Sequence, residues 1–225
     1  MTCSYCLSEI KKENQNFNDI CIDGLSKEHP LEHLDSLFQI CPNCKIVSDN
    51  LEKYLNNPKY AQIIKDEIKE CRKIQKLVND NTLNELEKKL LLIKTEKDAR
   101  INVNDKYWDI AMLLFIYCHT QGMNDKANEC INIKLEKTQF AVENLKKYYQ
   151  SEGVSNDILN NSFSSILSLI EMYRQIGDFK NAKKYIDILK KYKSFQFEKY
   201  QKKILKLQEE LCKNKNTERI LKPEK

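Results

Sequence analysis

Glycine and proline are scarce, with four of each in 225 residues. So few breakers exclude a loop-rich or low-complexity chain and favour helices joined by short connections. Long apolar runs are missing as well. The longest, residues 110–118, is nine residues, and a membrane-spanning helix needs about 20. Behind Met1 there is no basic start followed by an apolar stretch, only Cys3 and Cys6, so no secretory signal is expected. No Gly-rich phosphate loop and no Ser-His-Asp arrangement is recognisable. Neither nucleotide binding through a phosphate loop nor triad hydrolysis is therefore expected.

What is present is a charged, helix-forming chain. Apolar residues make up 41%, enough at this length to bury a core without disulfides, and charged residues make up 32%. Nine cysteines without a secretory signal point to a reducing, cytoplasmic location, where clustered thiols suggest metal. The net charge of +5 is uneven: from Lys180 onward 15 Lys and Arg face 6 Asp and Glu, a surplus of nine. Such a basic end reads as a solvated helix face, or as a surface for an acidic partner or nucleic acid.

The first 50 residues differ from the rest. They hold five of the nine cysteines, two of the three histidines and two of the four prolines. Asp19–Ile22 and Leu37–Ile40 read as short strands, and Leu31–Leu37 equally as a helical turn. Four parts follow: a ribbon-like module over 1–50, bridging helices over 51–104, a helical-repeat region over 105–214 and a polar basic tail over 215–225 that frays. Pro58 suits a first helical turn, followed by Ile64, Ile68 and Cys71 at helical spacing. Leu83, Leu86, Leu90 and Ile93 form the next stripe, with Asn81 and Thr82 as caps. Ile110, Leu113, Leu114 and Tyr117 fall at i, i+3, i+4 and i+7. So do Ile166, Leu169, Ile170 and Tyr173, and Ala182, Tyr185, Ile186 and Leu189 follow the same face. Tyr200, Ile204, Leu207 and Leu211 make the last stripe. Tyr148, Tyr149 and Tyr173 are candidate surface aromatics or, equally, core residues.

Two stretches repeat each other. Gly122 and Gly177 are 55 residues apart, and so are Ala127 and Ala182. Each Gly suits the left-handed position that ends one helix, and Asn124, Asp125 or Asp178 can cap the next. Residues 173–182 match the turn of a tetratricopeptide repeat, although 55 exceeds the usual period of about 34. The fold class expected is mainly α, a small N-terminal zinc-ribbon-like segment followed by tetratricopeptide-like antiparallel hairpins.

Cys3-Ser-Tyr-Cys6 and Cys41-Pro-Asn-Cys44 are CxxC knuckles with 34 residues between them. Together they offer four thiolates, the donor set of a closed structural zinc site, one ion per chain. A closed site leaves no coordination position for water, so no catalysis is expected there. Cys21, His29 and His33 lie between the knuckles. Cys21 is either an exchangeable ligand or packed. His29 and His33, four apart, read as surface residues rather than a second metal site. His119 beside Cys118 reads as an ordinary helix residue. A CxxC, a His-containing middle and a second CxxC also suggest a degenerate HNH-like nuclease. Against that, Asp19–Asp23 lacks the expected His pair, and Lys45 stands where a His is common.

In its order of features the chain resembles a bacterial domain-of-unknown-function family with an N-terminal zinc ribbon and C-terminal helical repeats. The matching elements are Cys3-x-x-Cys6, Asp19-Ile20-Cys21, Pro30, Cys41-Pro-Asn-Cys44, residues 111–118, Lys126-Ala127 and residues 171–179. The chain departs after Cys44, reading Lys45-Ile46-Val47 where the family tends to Gly, Tyr and Ala. The resemblance implies zinc and a repeat scaffold, and no activity. The function expected is a non-catalytic protein-interaction scaffold or adaptor with a protein or peptide partner. The alternatives are nucleic-acid binding through the zinc module and the Lys-rich helices, and the degenerate nuclease.

Overall fold

A computed structural model describes residues 3, 6, 8, 9, 16–48, 71–98, 109–148, 156–192 and 199–223. It is mainly helical and divides into two compact units. One comprises Met1–Phe17 and His29–Leu113, the other Asn18–Glu28 and Leu114–Lys225. The first 50 residues are thus shared between the two.

In the first unit α1 (Pro30–Ser36) opens on a proline, whose fixed φ suits a first helical turn, and buries Leu34. It leads into β1 (Gln39–Ile40), which pairs antiparallel with β2 (Val47–Ser48), Ile40 opposite Val47. Two helices follow, α2 (Arg72–Val78) and α3 (Glu85–Asp98). Cys71 sits at the N-cap of α2, so it starts a helix rather than continuing a stripe. Pro58, Ile64 and Ile68 lie outside the described residues. The start of α3 also differs from the expected caps Asn81 and Thr82. Asp80 holds both the backbone N–H and the hydroxyl of Thr82, and Asn84 Oδ1 accepts from Glu87 N–H at 2.8 Å. Asn84 is the cap because Thr82 is already spent in the Asp80 turn. Lys89 donates to Asp35 Oδ1 at 2.6 Å and to the Asp35 carbonyl at 3.1 Å, tying α3 to the last turn of α1. Leu34, Phe38, Val47, Ile74, Leu90 and Leu92 are buried in this unit.

The second unit takes in most of α4 (Ile110–Thr120), then α5 (Asn124–Tyr148), α6 (Asn156–Gln175), α7 (Phe179–Lys191) and α8 (Lys199–Lys213). α5 packs along α6, and α6 along α7. α8 runs in the direction of α6: Gln201 donates to the Asn160 carbonyl and Ser164 Oγ, and further along Gln208 meets Arg174. The α6 stripe Ile166, Leu169, Ile170 and Tyr173 is buried, and so is the α7 stripe Ala182, Tyr185, Ile186 and Leu189. Tyr173 stacks on Tyr185 and is no surface aromatic. Tyr148 is half-buried, and Tyr149 is outside the described residues.

Three helices of this unit end in one motif. At Gly122 (φ 70°), Met123 N–H reaches the Cys118 carbonyl and Gly122 N–H the His119 carbonyl. At Gly177 (φ 79°) the pair is Asp178 to Tyr173 and Gly177 to Arg174. At Lys215 (φ 51°) it is Asn216 to Leu211 and Lys215 to Cys212. Each is a Schellman termination, with the left-handed residue one past the helix cap. The third is hidden in the sequence because a lysine occupies the glycine position. Asp178 then caps α7, accepting from Asn181 N–H at 3.1 Å. The α4–α5 turn closes in the same way, without the close helix packing of α6 on α7.

Residues 18–28 fold around Asp19, whose carboxylate accepts from Ser26 Oγ at 2.6 Å and Glu28 N–H at 2.7 Å. The Ser26 hydrogen bond leads in drawing its pKa down to about 2. The C-terminal segment, expected to fray, is held instead. Ile22 N–H donates to the Ile220 carbonyl at 2.9 Å, and Lys222 N–H to the Ile20 carbonyl at 2.7 Å. Arg219 forms a bidentate pair with Asp23, at 2.7 and 2.8 Å. Polarity alone suggested a solvated tail, but two backbone bonds and a guanidinium clasp secure it.

Candidate metal centre

Cys41–Cys44 is the tip of the β1–β2 hairpin. Cys41 N–H donates to the Ile46 carbonyl at 2.9 Å, and Lys45 N–H to the Cys41 carbonyl at 3.0 Å. The first knuckle repeats this offset of five residues: Cys3 N–H donates to the Ser8 carbonyl at 2.9 Å.

The two knuckles face each other. Cys3 Sγ lies 3.8 Å from Cys44 Sγ, and Cys6 Sγ lies 3.4 Å from Cys41 Sγ. All four sulfurs fall within 4.8 Å of one another. These spacings are far above the ~2.05 Å of a disulfide, and the cysteines are free thiols. Four sulfurs each ~2.3 Å from one tetrahedral ion sit about 3.8 Å apart, so the donor set fits a single metal ion. Cys3 and Cys41 are fully buried, and Cys6 and Cys44 half-buried.

Two further side chains join the knuckles, and sequence reasoning missed both. Ser8 Oγ lies 3.2 Å from Cys6 Sγ, and Asn43 Nδ2 donates to that same Ser8 oxygen at 3.0 Å. Outer hydrogen bonds of this kind orient ligands and carry part of the sulfur charge. The available signal was positional: Ser8 stands five after Cys3, as Ile46 stands five after Cys41. Burial raises the Cys6 thiol, but hydrogen bonds to Ser8 outweigh it and the group ends below its ordinary value. The opposite holds at Cys44, pushed up by its hydrogen bond with Cys3 and by burial, and at Cys41, pushed up mainly by burial.

Lys45 follows the last ligand with φ 63°, a left-handed conformation that suits glycine. The departure from the Gly-Tyr-Ala pattern therefore leaves the turn intact but strains it. Lys45→Gly keeps the N–H bond to Cys41 and is expected to raise stability by about 1 kcal/mol. Denaturant unfolding of the metal-loaded protein checks this; an unchanged midpoint would contradict the strain.

The other candidates lie elsewhere. Cys21 belongs to the second unit and forms a bridge with Leu221; burial pushes its thiol up to about 11. It is packed, and the metal-capable group consists of the other four cysteines. His29 is exposed, 4.0 Å from Glu32, and His33 stacks on Phe17. Neither joins a metal-capable group among the described residues. His119 is half-buried against Phe115, and burial lowers its pKa.

Fold and site define a mainly helical protein with an N-terminal four-cysteine cluster able to bind a metal ion. No helix among the described residues is long and apolar enough to cross a membrane. Compared with known proteins, the chain matches no family model, no curated protein and no solved structure.

Proposed function

We propose that the chain is a non-catalytic adaptor of the cytoplasm, clipped at its N-terminal end by one structural zinc ion and presenting tetratricopeptide-like hairpins to a protein partner. The observation that carries the zinc assignment is the meeting of four soft sulfur donors, from two knuckles that share one backbone bond five residues long, at the spacing of a tetrahedral ion. Closed coordination by four thiolates leaves no position for a substrate or an attacking water. The hairpin reading is supported by the Gly177 turn, the Asp178 cap and the fully buried Ala182 where α6 and α7 pack. The third Schellman turn at Lys215 lies 38 residues after Gly177, near the usual period of about 34. Likeness to the bacterial zinc-ribbon family belongs to the same proposal. Nine free thiols suit a reducing compartment.

A second reading, nucleic-acid binding, is favoured by one surface. Lys199, Lys202, Lys203 and Lys206 follow i, i+3, i+4 and i+7 along the exposed side of α8, with no acidic residue in 199–208. The nuclease reading gains no support from His29 and His33, which join no metal-capable group among the described residues. One experiment separates the first two readings. The tagged chain is captured from its own cells, then treated with nuclease and washed at rising salt. An adaptor keeps a stoichiometric protein partner through both treatments. Loss of all bound material on nuclease treatment, or steeply with salt, transfers the assignment to nucleic acid.

A further inference from the structure

The chain's own C-terminal segment is held against residues 18–28 and Arg174 of the second unit as a peptide ligand would be. After the Lys215 turn the backbone runs back over the end of α6. Arg174 Nη1 donates to the carbonyls of Asn216 and Glu218, at 2.8 Å each. Beyond that point Ile220 and Lys222 exchange backbone hydrogen bonds with Ile22 and Ile20. Between these two grips Arg219 enters the turn of residues 18–28. Its Nε and Nη2 bind both oxygens of Asp23, and its Nη1 donates to the Ser26 carbonyl at 2.6 Å. With the tail in place the Asp23 side chain is 0% exposed, covered by the guanidinium it binds.

The site holds the tail through its backbone and Arg219, with Lys222 Nζ 5.3 Å from the centre of the Tyr200 ring. Leu221, beside the anchor, is 48% exposed and contributes little burial. The tail enters through a left-handed lysine, a strained start. Gln175 adds an unused capacity. Its Nε2 donates to Glu171 and lies 3.4 Å from Asp23 Oδ2, so its nitrogen faces the two carboxylates. Its buried Oε1 then has no hydrogen-bond partner among the described residues. Strand addition with a side-chain anchor is a standard mode of peptide recognition, and a bidentate guanidinium–carboxylate pair supplies its specificity.

We propose that residues 18–28 with Arg174 and Gln175 form a binding site for an extended, arginine-bearing segment of a partner protein, and that the tail occupies it in cis as a self-inhibiting ligand. This names a partner chemistry for the adaptor reading and rests on that reading for its role in the cell. The geometry uses none of the metal ligands, so a failed metal analysis leaves the tail-binding test unaffected, and a failed tail-binding test leaves the metal assignment standing.

The test uses the full chain and a labelled peptide of residues 214–223, with binding read by fluorescence anisotropy. Arg219→Ala opens the clasp and is expected to bind the peptide at least about tenfold more tightly than wild type, whose own tail competes at high effective concentration. A peptide carrying Arg219→Lys should bind that variant about tenfold more weakly, having lost the bidentate pair. Adding Asp23→Asn to the protein should weaken binding of the wild-type peptide to a similar extent. Equal binding by wild type and Arg219→Ala overturns the proposal, as does no binding by a variant with wild-type circular dichroism. A tail exchanged between copies, seen as a dimer by light scattering with no peptide binding, also overturns it. Should Arg219→Ala unfold the chain, the tail is a structural strut and the proposal fails.

Discussion

Stripping the metal from the Cys3, Cys6, Cys41 and Cys44 cluster is expected to unfold both knuckles and the β1–β2 hairpin, while α6 and α7 stay folded. The strands are two residues each, too short to hold a hairpin by themselves. A structural zinc ion contributes an apparent ~10–16 kcal/mol at neutral pH, more than the whole stability of many domains. Amide hydrogen exchange before and after chelation should show protection lost at Cys3, Cys41 and Lys45, and kept along residues 166–189. Uniform loss across both regions, or no loss at the knuckles, would contradict the assignment. The pH dependence has a definite sign. Protons compete with the metal for the four thiolates, so affinity falls as pH falls and metal is released in acid.

Arg174→Ala is expected to be the most damaging single change away from the cysteines. Arg174 is 0% exposed and donates to Glu171, Gln208 and two tail carbonyls. Glu171 is itself buried and also accepts from Gln175 and Gln208. Removing the guanidinium leaves a buried carboxylate with only amide partners, at a cost of about 3–5 kcal/mol. Replacing both charges, as in Arg174→Met with Glu171→Leu, should recover part of that loss, because the pair's desolvation cost disappears while Gln175, Gln208 and two tail carbonyls lose partners. Chemical denaturation of wild type, single and double variants reads both effects. A loss below about 1 kcal/mol in Arg174→Ala would mean that water replaces the guanidinium, as at an exposed pair.

What the sequence discloses follows from how local the determinant is. The α7 stripe is legible because Ala182, Tyr185, Ile186 and Leu189 recur at helical spacing and are all buried. Gly122 and Gly177 mark their turns because glycine alone takes positive φ freely. Four cysteines in two CxxC pairs announce a cluster because the spacing itself builds the turn. Hidden features are those in which a residue departs from its type. Lys45 and Lys215 occupy left-handed positions that lysine does not advertise. Nothing in the spacing of Glu171 and Arg174, three apart on a helix, marks them as buried, and only packing against Gln208 and the tail makes them core. The tail looks free because its partners, Ile20, Ile22 and Asp23, lie some 200 residues away in the chain. Asn84 takes the capping role expected of Asn81 and Thr82 because Asp80 already holds Thr82.

The most direct measurement is metal content by plasma mass spectrometry on the untagged, fully reduced chain, beside Cys41→Ser. One zinc per chain in wild type and a clear loss in the variant is the predicted result. Absence of zinc and of any other bound metal in wild type would contradict the account, and the two knuckles would then be redox thiols.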